Sequence, residues 1–329
     1  MTRPDCPYGF RVVGPVTEGR RLVDAAAAFS AHCAADPRSR PDVETYLSAF
    51  HYGPDFRQLL LDRGSPKGFA GPCWSPWLWF DLDRPGDPEA ALGDARRLAC
   101  FVLDRYRRFD EDDLLVFFSG AKGFHLGLPL THNPPPHPFF HRTARGLAER
   151  LAAGAGVRID TAVYDRVRCF RAPNSRHPRT GFHKRRLVHA ELMNLSAARV
   201  MELAREPVAF DVPRVGELAT ELEADWAAAA AAGRPPAPMT GDAHPGRLQR
   251  ATIDFLHSGA AEGERHPRLF RAAADMAELA VARGIDGLIR ALLTDPALDT
   301  GLPPAEVGRQ IGCGIDHGRR VAAGAGGTG

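Results

Sequence analysis

Trp77-Leu78-Trp79-Phe80-Asp81-Leu82-Asp83 is the stretch on which the fold turns. An aromatic-rich apolar run leads into alternating acid and leucine and stops at the polar turn Arg84-Pro85-Gly86-Asp87. Such residues favour a pleated strand bounded by a turn. Residues two apart in a strand share a face, so Asp81 and Asp83 project together while Leu82 points to the core. Adjacent carboxylates repel, and one is driven towards protonation unless a cation is present. Hard divalent ions with oxygen ligands, Mg²⁺ or Mn²⁺, relieve that repulsion. Two such ions about 4 Å apart suit phosphoryl-type transfer. A solvated strand end beside a turn would carry the same two acids; the apolar run before them speaks for a placed pair.

Working outward, Pro88 to Arg108 has helical spacing, with Leu92, Ala95, Leu98, Ala99 and Val102 on one side. Leu114 to Phe118 and Phe124 to Leu130 read as strands around the turn Ser119-Gly120-Ala121-Lys122-Gly123. Pro138 to Ala153 reads as a helix, and Arg166–Arg171 and Arg186–Met193 as strands. Upstream, Thr17 to Ala35 reads as an Ala-rich helix, and Asp36 to Pro76 yields no clear assignment. Downstream the composition changes. Val215 to Ala232 is Ala- and Glu-rich and helical, the Pro-rich stretch from Gly233 to Gly246 reads as a linker, and Arg247 to Arg320 is helical throughout. The expected organisation is a mixed domain at 1–210, a helix and linker at 211–246, a helical domain at 247–322 and a disordered tail at 323–329.

Two further constellations carry chemistry. In Ser119-Gly120-Ala121-Lys122-Gly123-Phe124-His125, the glycines let backbone N–H groups approach a phosphate, Lys122 adds a charge and His125 can donate a hydrogen bond. A plain hairpin with a surface lysine would read the same way. Farther on, Asp160 offers a third carboxylate, and Arg166 to Ala190 holds eight Lys or Arg and no Asp or Glu. A field of this kind attracts a triphosphate or a nucleic-acid backbone, and Arg grips phosphate bidentately. The run is interleaved with Phe170, Pro173 and Gly181, unlike a low-complexity solvated face.

Taken in order, these motifs resemble the archaeo-eukaryotic primase superfamily. The strand-borne D-x-D matches Asp81 and Asp83. The S-G-x-x-G-x-H motif matches Ser119, Gly120, Gly123 and His125, with Lys122 where a basic residue is common. The third motif matches Ile159-Asp160, and its extension R-x-P-x-S-x-H-x-K-T-G matches Arg171, Pro173, Ser175, His177, Thr180 and Gly181, with Arg179 in place of Lys. The resemblance covers roughly Arg40 to Leu192. It implies an α+β fold: an RRM-like catalytic core with an accessory α/β unit, followed here by a small all-α domain. It also implies two divalent ions on Asp81, Asp83 and Asp160, and a nucleotide held by Ser119, Gly120, Lys122, Gly123, His125, Arg171, Ser175 and His177. Arg176, Arg179, Lys184 and Arg185 would meet nucleic acid. The C-terminal Gly263-Glu264-Arg265-His266 and Pro303-Pro304-Ala305-Glu306-Val307 are similar, more weakly, to helical domains of plasmid and phage primases.

The sequence departs from cellular members of that superfamily. No C-x-x-C pair occurs among the six cysteines, so no zinc is expected, and no P-loop is present, so a fused helicase is excluded. A separately encoded helicase is a possible partner. The implied reaction is template-directed nucleotidyl transfer on single-stranded DNA with NTPs or dNTPs. Alternatives are a non-initiating polymerase of the same superfamily, an origin-binding protein and a metal-dependent nuclease. The net charge of +2 says little about partners. No run approaches the roughly 20 apolar residues of a membrane span, and residues 1–14 lack a secretory pattern, so a cytoplasmic location is expected.

Overall fold

The strand at Trp77–Asp83 forms with the bounds its alternation predicts. The computed structural model describes residues 5–213, 219–233, 248–261, 263–283 and 286–325. Two units result, Met1–Pro235 and Pro236–Gly329. In the first, the order is β1 (Tyr8–Val13), β2 (Arg21–Asp24), α1 (Ala25–Cys33), β3 (Thr45–Ser48), β4 (His51–Tyr52), α2 (Pro54–Arg63), β5 (Cys73–Trp74), β6 (Trp77–Asp83) and α3 (Pro88–Arg105). Then come β7 (Leu115–Phe118), β8 (Gly123–Pro129), α4 (Phe140–Gly154), β9 (Cys169–Arg171), β10 (Arg185–Leu187), α5 (His189–Asn194), α6 (Ala197–Leu203) and α7 (Thr220–Gly233).

The strands form two sheets whose described pairings are all antiparallel, and the fold is α+β. The smaller sheet has the order β10-β7-β8-β6. In the larger, β5-β4-β1-β3-β9 run in sequence and β2 pairs with β1. Strand alternation divides the smaller sheet cleanly. Leu78, Phe80 and Leu82 share one face with Phe124 and Leu126, and all five are buried. Helix α3, N-capped by Asp87 accepting from Ala90 N and started by Pro88, packs over β6 and β8 through its buried Leu92, Ala95, Leu98, Ala99 and Val102. On the other face, Trp79 and His125 meet Phe170 of β9, which belongs to the larger sheet, and Phe117 packs on Trp79. The two sheets therefore meet through aromatic rings at the level of Asp81.

Thr17 to Ala35 is not one helix: Arg21–Asp24 is a strand paired with β1, and the helix starts at Ala25, after Asp24 caps it by accepting from Ala27 N at 2.8 Å. Arg186 to Met193 is strand only at its start and turns into α5 at His189. Helix α7 belongs to the first unit and packs on α4, with Trp226 and Phe140 ring centroids 4.8 Å apart. The linker expected at 233–246 lies almost entirely outside the described residues, as do 215–218.

The second unit contains α8 (Arg250–Ser258), α9 (Arg265–Arg283), α10 (Asp286–Asp299) and α11 (Pro304–Ala325) around Phe255, Leu269, Ile289, Leu293 and Ile311. Gly314 and Gly318 bring α11 close against Ala273 and Ala274 of α9, leaving no room for a methyl group. His266 Nε2 lies 2.8 Å from Glu306 Oε2, joining the two C-terminal motifs. Helix α11 continues through 323–325, the start of the expected tail at 323–329; 326–329 lie outside the described residues. None of the six cysteines is in a disulfide. Among the described residues, no helix is long and apolar enough to cross a membrane.

Candidate active site

The β6–β8 ladder builds the site. Its register sets Asp81 opposite His125 and Asp83 opposite Gly123. The first two motifs thus become neighbours through backbone pairing alone. The third arrives at the free edge of β6. Asp160 N donates to Asp81 O at 2.8 Å, and the Tyr164 hydroxyl donates to Trp79 O. The short 3-10 turn Thr161–Tyr164 is thereby docked along β6, with Asp160 as its cap. Asp160 itself is exposed, and its Oδ1 accepts from Ala162 N.

Asp81, Asp83, His125 and Asp160 line a cavity of about 350 Å³ together with Ser119, Lys122, Phe170, Arg171 and His177. All three motifs, some 80 residues apart at the extremes, therefore face one cleft. Burial, and the charges of Asp83 and Asp160, push the Asp81 carboxyl up to about 7. Its Oδ1 is buried without a hydrogen-bond partner, 3.5 Å from His125 Nε2. Asp83 pairs with Lys122 at 2.7 Å, which raises the Lys122 pKa. Among the described residues, no three His, Cys, Asp or Glu side chains stand close enough to hold a metal ion as they are. Two observations nonetheless fit a hard divalent cation: the orphaned Asp81 oxygen and the mutual repulsion of three carboxylates. For Asp83 to join, its carboxylate must leave Lys122.

The basic wall is narrower than the sequence implies. Arg171 is held by Tyr46, whose hydroxyl lies 2.9 Å from its Nη2, and by Glu44 at 3.5 Å, with the Tyr46 ring beneath its guanidinium. His125 stacks on Phe170 with centroids 4.2 Å apart. Burial, with Lys184 and Arg171 adding to it, holds His125 well below its ordinary range, so it is a neutral hydrogen-bonding group and not a charge for phosphate. His177 is lowered by the same causes, burial first and then Arg171 and Arg179. Its Nδ1 accepts from Arg179 N and Thr180 N.

Other candidates have structural work. Ser119 Oγ accepts from Gly123 N and Ala121 N, closing the turn. Gly120 has φ +88° and lies against Phe182 O and His177, so the loop after β9 rests on the glycine turn. Thr180 ties that contact by donating to Gly120 O. Ser175 is fully buried and donates to Ala172 O and Thr45 O, which takes it out of the nucleotide contacts expected of it. Lys184 is enclosed too, contrary to the nucleic-acid contact expected of it. It is 1% exposed, its Nζ donates to Arg171 O at 2.8 Å, and the ring of Phe170 lies 4.3 Å away. A side chain so enclosed does not meet a nucleic-acid backbone. Arg185 turns its guanidinium to Glu191, whereas Arg176 and Arg179 are exposed. The cleft also holds Tyr46 and Arg168, which the sequence reading passed over. Arg168 lay in the visible basic run, but Tyr46 lay in a stretch without a local signal.

No protein-family model matches the chain. No curated protein matches it either. Among solved structures, the chain is similar to the crystal structure of primase RepB′ over 98% of this chain and 95% of that one, at 13% sequence identity and a TM-score of 0.31.

Proposed function

We propose that the chain is a template-directed nucleotidyltransferase of the primase or primase-polymerase type, acting on single-stranded DNA. The observation that carries the reading is the convergence of Asp81, Asp83 and Asp160 with Lys122 and Arg171 in one cleft. Acid on one side and base on the other is what a metal-bound triphosphate requires.

Asp81 and Asp83, with Asp160, would hold Mg²⁺ or Mn²⁺. When bound, the ions supply charge neutralisation and Lewis acidity towards the attacking hydroxyl and the leaving oxygens. The side chains do the positioning, which dominates this chemistry. Lys122, released from Asp83, and Arg171, fixed by Tyr46 and Glu44, bind the triphosphate oxygens. Neutral His125 donates a hydrogen bond beside Asp81 and, stacked on Phe170, keeps the floor of the cleft dry. Exposed Arg168, Arg176 and Arg179 offer contacts to the template backbone. Extension of an annealed primer with Mn²⁺ tests the reading. Asp81→Ala should abolish it while single-stranded DNA binding persists. Extension by Asp81→Ala at the wild-type rate would refute the assignment.

A further inference from the structure

Behind Phe170 lies a second cavity, of about 390 Å³, walled by Phe10, Phe29, Trp77, Trp79 and Phe170 with Lys184 among its lining. It shares Phe170 and Arg171 with the carboxylate cleft. None of the described residues lining it is acidic. Nothing in the nucleotidyl-transfer reading uses it.

Its chemistry is specific. Aromatic walls stack flat rings, and stacking on such walls is tolerant of base identity. Lys184 Nζ has more than one N–H to give, and the hydrogen bond seen for it is to Arg171 O. Its remaining surroundings are the rings of Phe170, Phe117 and Trp79, at 4.3, 4.7 and 5.5 Å from their centroids. A carbonyl or ring nitrogen entering the cavity would find a donor there. The lack of acidic lining suits a polyanion at the mouth, and Arg171 stands at the junction of the two cavities.

We propose that this cavity binds one unpaired base of the single-stranded template, set beside the cleft in which nucleotides are joined. The inference rests on the nucleotidyl-transfer reading. A base whose pairing edge accepts from Lys184 does not offer that edge to a partner base. It is therefore a base of the template strand that is not being copied, and the contact fixes the register of the strand against the carboxylates.

The test uses the full chain and short single-stranded oligonucleotides in which one base at a time is replaced by an abasic residue. Binding is followed by anisotropy and by the emission of the four tryptophans, of which Trp77 and Trp79 line the cavity. One abasic position should weaken binding by about tenfold, within the range for loss of one stacked base, and should remove the tryptophan quenching. Ser30→Trp places a large ring in the cavity from the exposed surface of α1 and should erase that positional difference. Phe29→Ala, which removes a wall, should reduce it, and thermal melts establish that both variants fold. Equal losses at every position, or a positional difference that survives Ser30→Trp, would overturn the proposal. So would quenching by a free deoxynucleoside monophosphate in competition with DNA, which would make this a site for a loose nucleotide. Primer extension on the same preparation separates the two readings. Extension without a positional effect sinks the base site alone, and a positional effect without extension sinks the polymerase reading alone.

Discussion

Gly123 stands opposite Asp83 across the β6–β8 ladder and leaves no room for a methyl group beside the Asp83 carboxylate. The glycine of the second motif therefore shapes the first. Gly123→Ala should displace Asp83 and lower primer extension by tenfold or more, at a folding cost of about 1–3 kcal/mol for the overpacked contact. Single-stranded DNA affinity should stay near wild type. Steady-state extension and equilibrium binding on one preparation check both.

Removing charge from the carboxylate cluster should reveal what the cluster is for. Asp81 is mostly buried among like charges. Asp81→Asn should therefore leave the metal-free protein as stable as wild type or more so, by on the order of 1 kcal/mol. Mn²⁺ should raise the melting temperature of the wild type, by an amount corresponding to about 2.7 kcal/mol at a hundredfold excess over its Kd, and leave Asp81→Asn unchanged. Thermal melts with and without Mn²⁺ decide.

Arg179, and not Lys184, should contribute to the salt dependence of DNA binding. Arg179 is exposed, whereas Lys184 is enclosed by rings. Arg179→Gln should reduce the slope of log affinity against log salt by about 0.7, the share of one phosphate contact on a single strand. Lys184→Met should leave that slope unaltered. Titrations at a series of salt concentrations measure both.

Acid should destabilise the first unit partly through His32. This residue is fully buried, and burial, with Arg11 adding to it, lowers its pKa from 6.5 to about 4. The unfolded chain then binds the proton more readily than the folded one. Its contribution is complete above pH 6.5 and is lost as the pH falls through about 4. The fall from 6.5 to about 4 corresponds to about 3 kcal/mol at the acid end. His51, His132 and His141 are lowered to about 4 as well, so His32→Phe should flatten its own share of the acid limb and no more. Urea unfolding between pH 7 and pH 4 gives the comparison.

How much of this was legible varies with the physics of each segment. Trp77–Asp83 and its partner Gly123–Pro129 were readable because apolar runs ending in Asp and Gly signals leave few alternatives. The segment from Asp36 to Pro76 was not, since β3, β4 and β5 are two to four residues long and are defined by their partners. Arg21–Asp24 was lost in an Ala-rich context that favours helix until β1 pairs with it. The basic run showed that positive charge gathers near the site but not which way each side chain faces. Burial removed Lys184 and Ser175 from the surface, and a strand pairing with no local signal carried Tyr46 in beside Arg171.

The most direct measurement is synthesis on an unprimed single-stranded circle with labelled NTPs and dNTPs and Mg²⁺ or Mn²⁺, comparing the wild type with Asp81→Ala/Asp83→Ala. New oligonucleotides made by the wild type and lost in the double variant are the expected result. Product of equal yield from the double variant, or no synthesis by the wild type on unprimed and primed templates alike, would contradict the account.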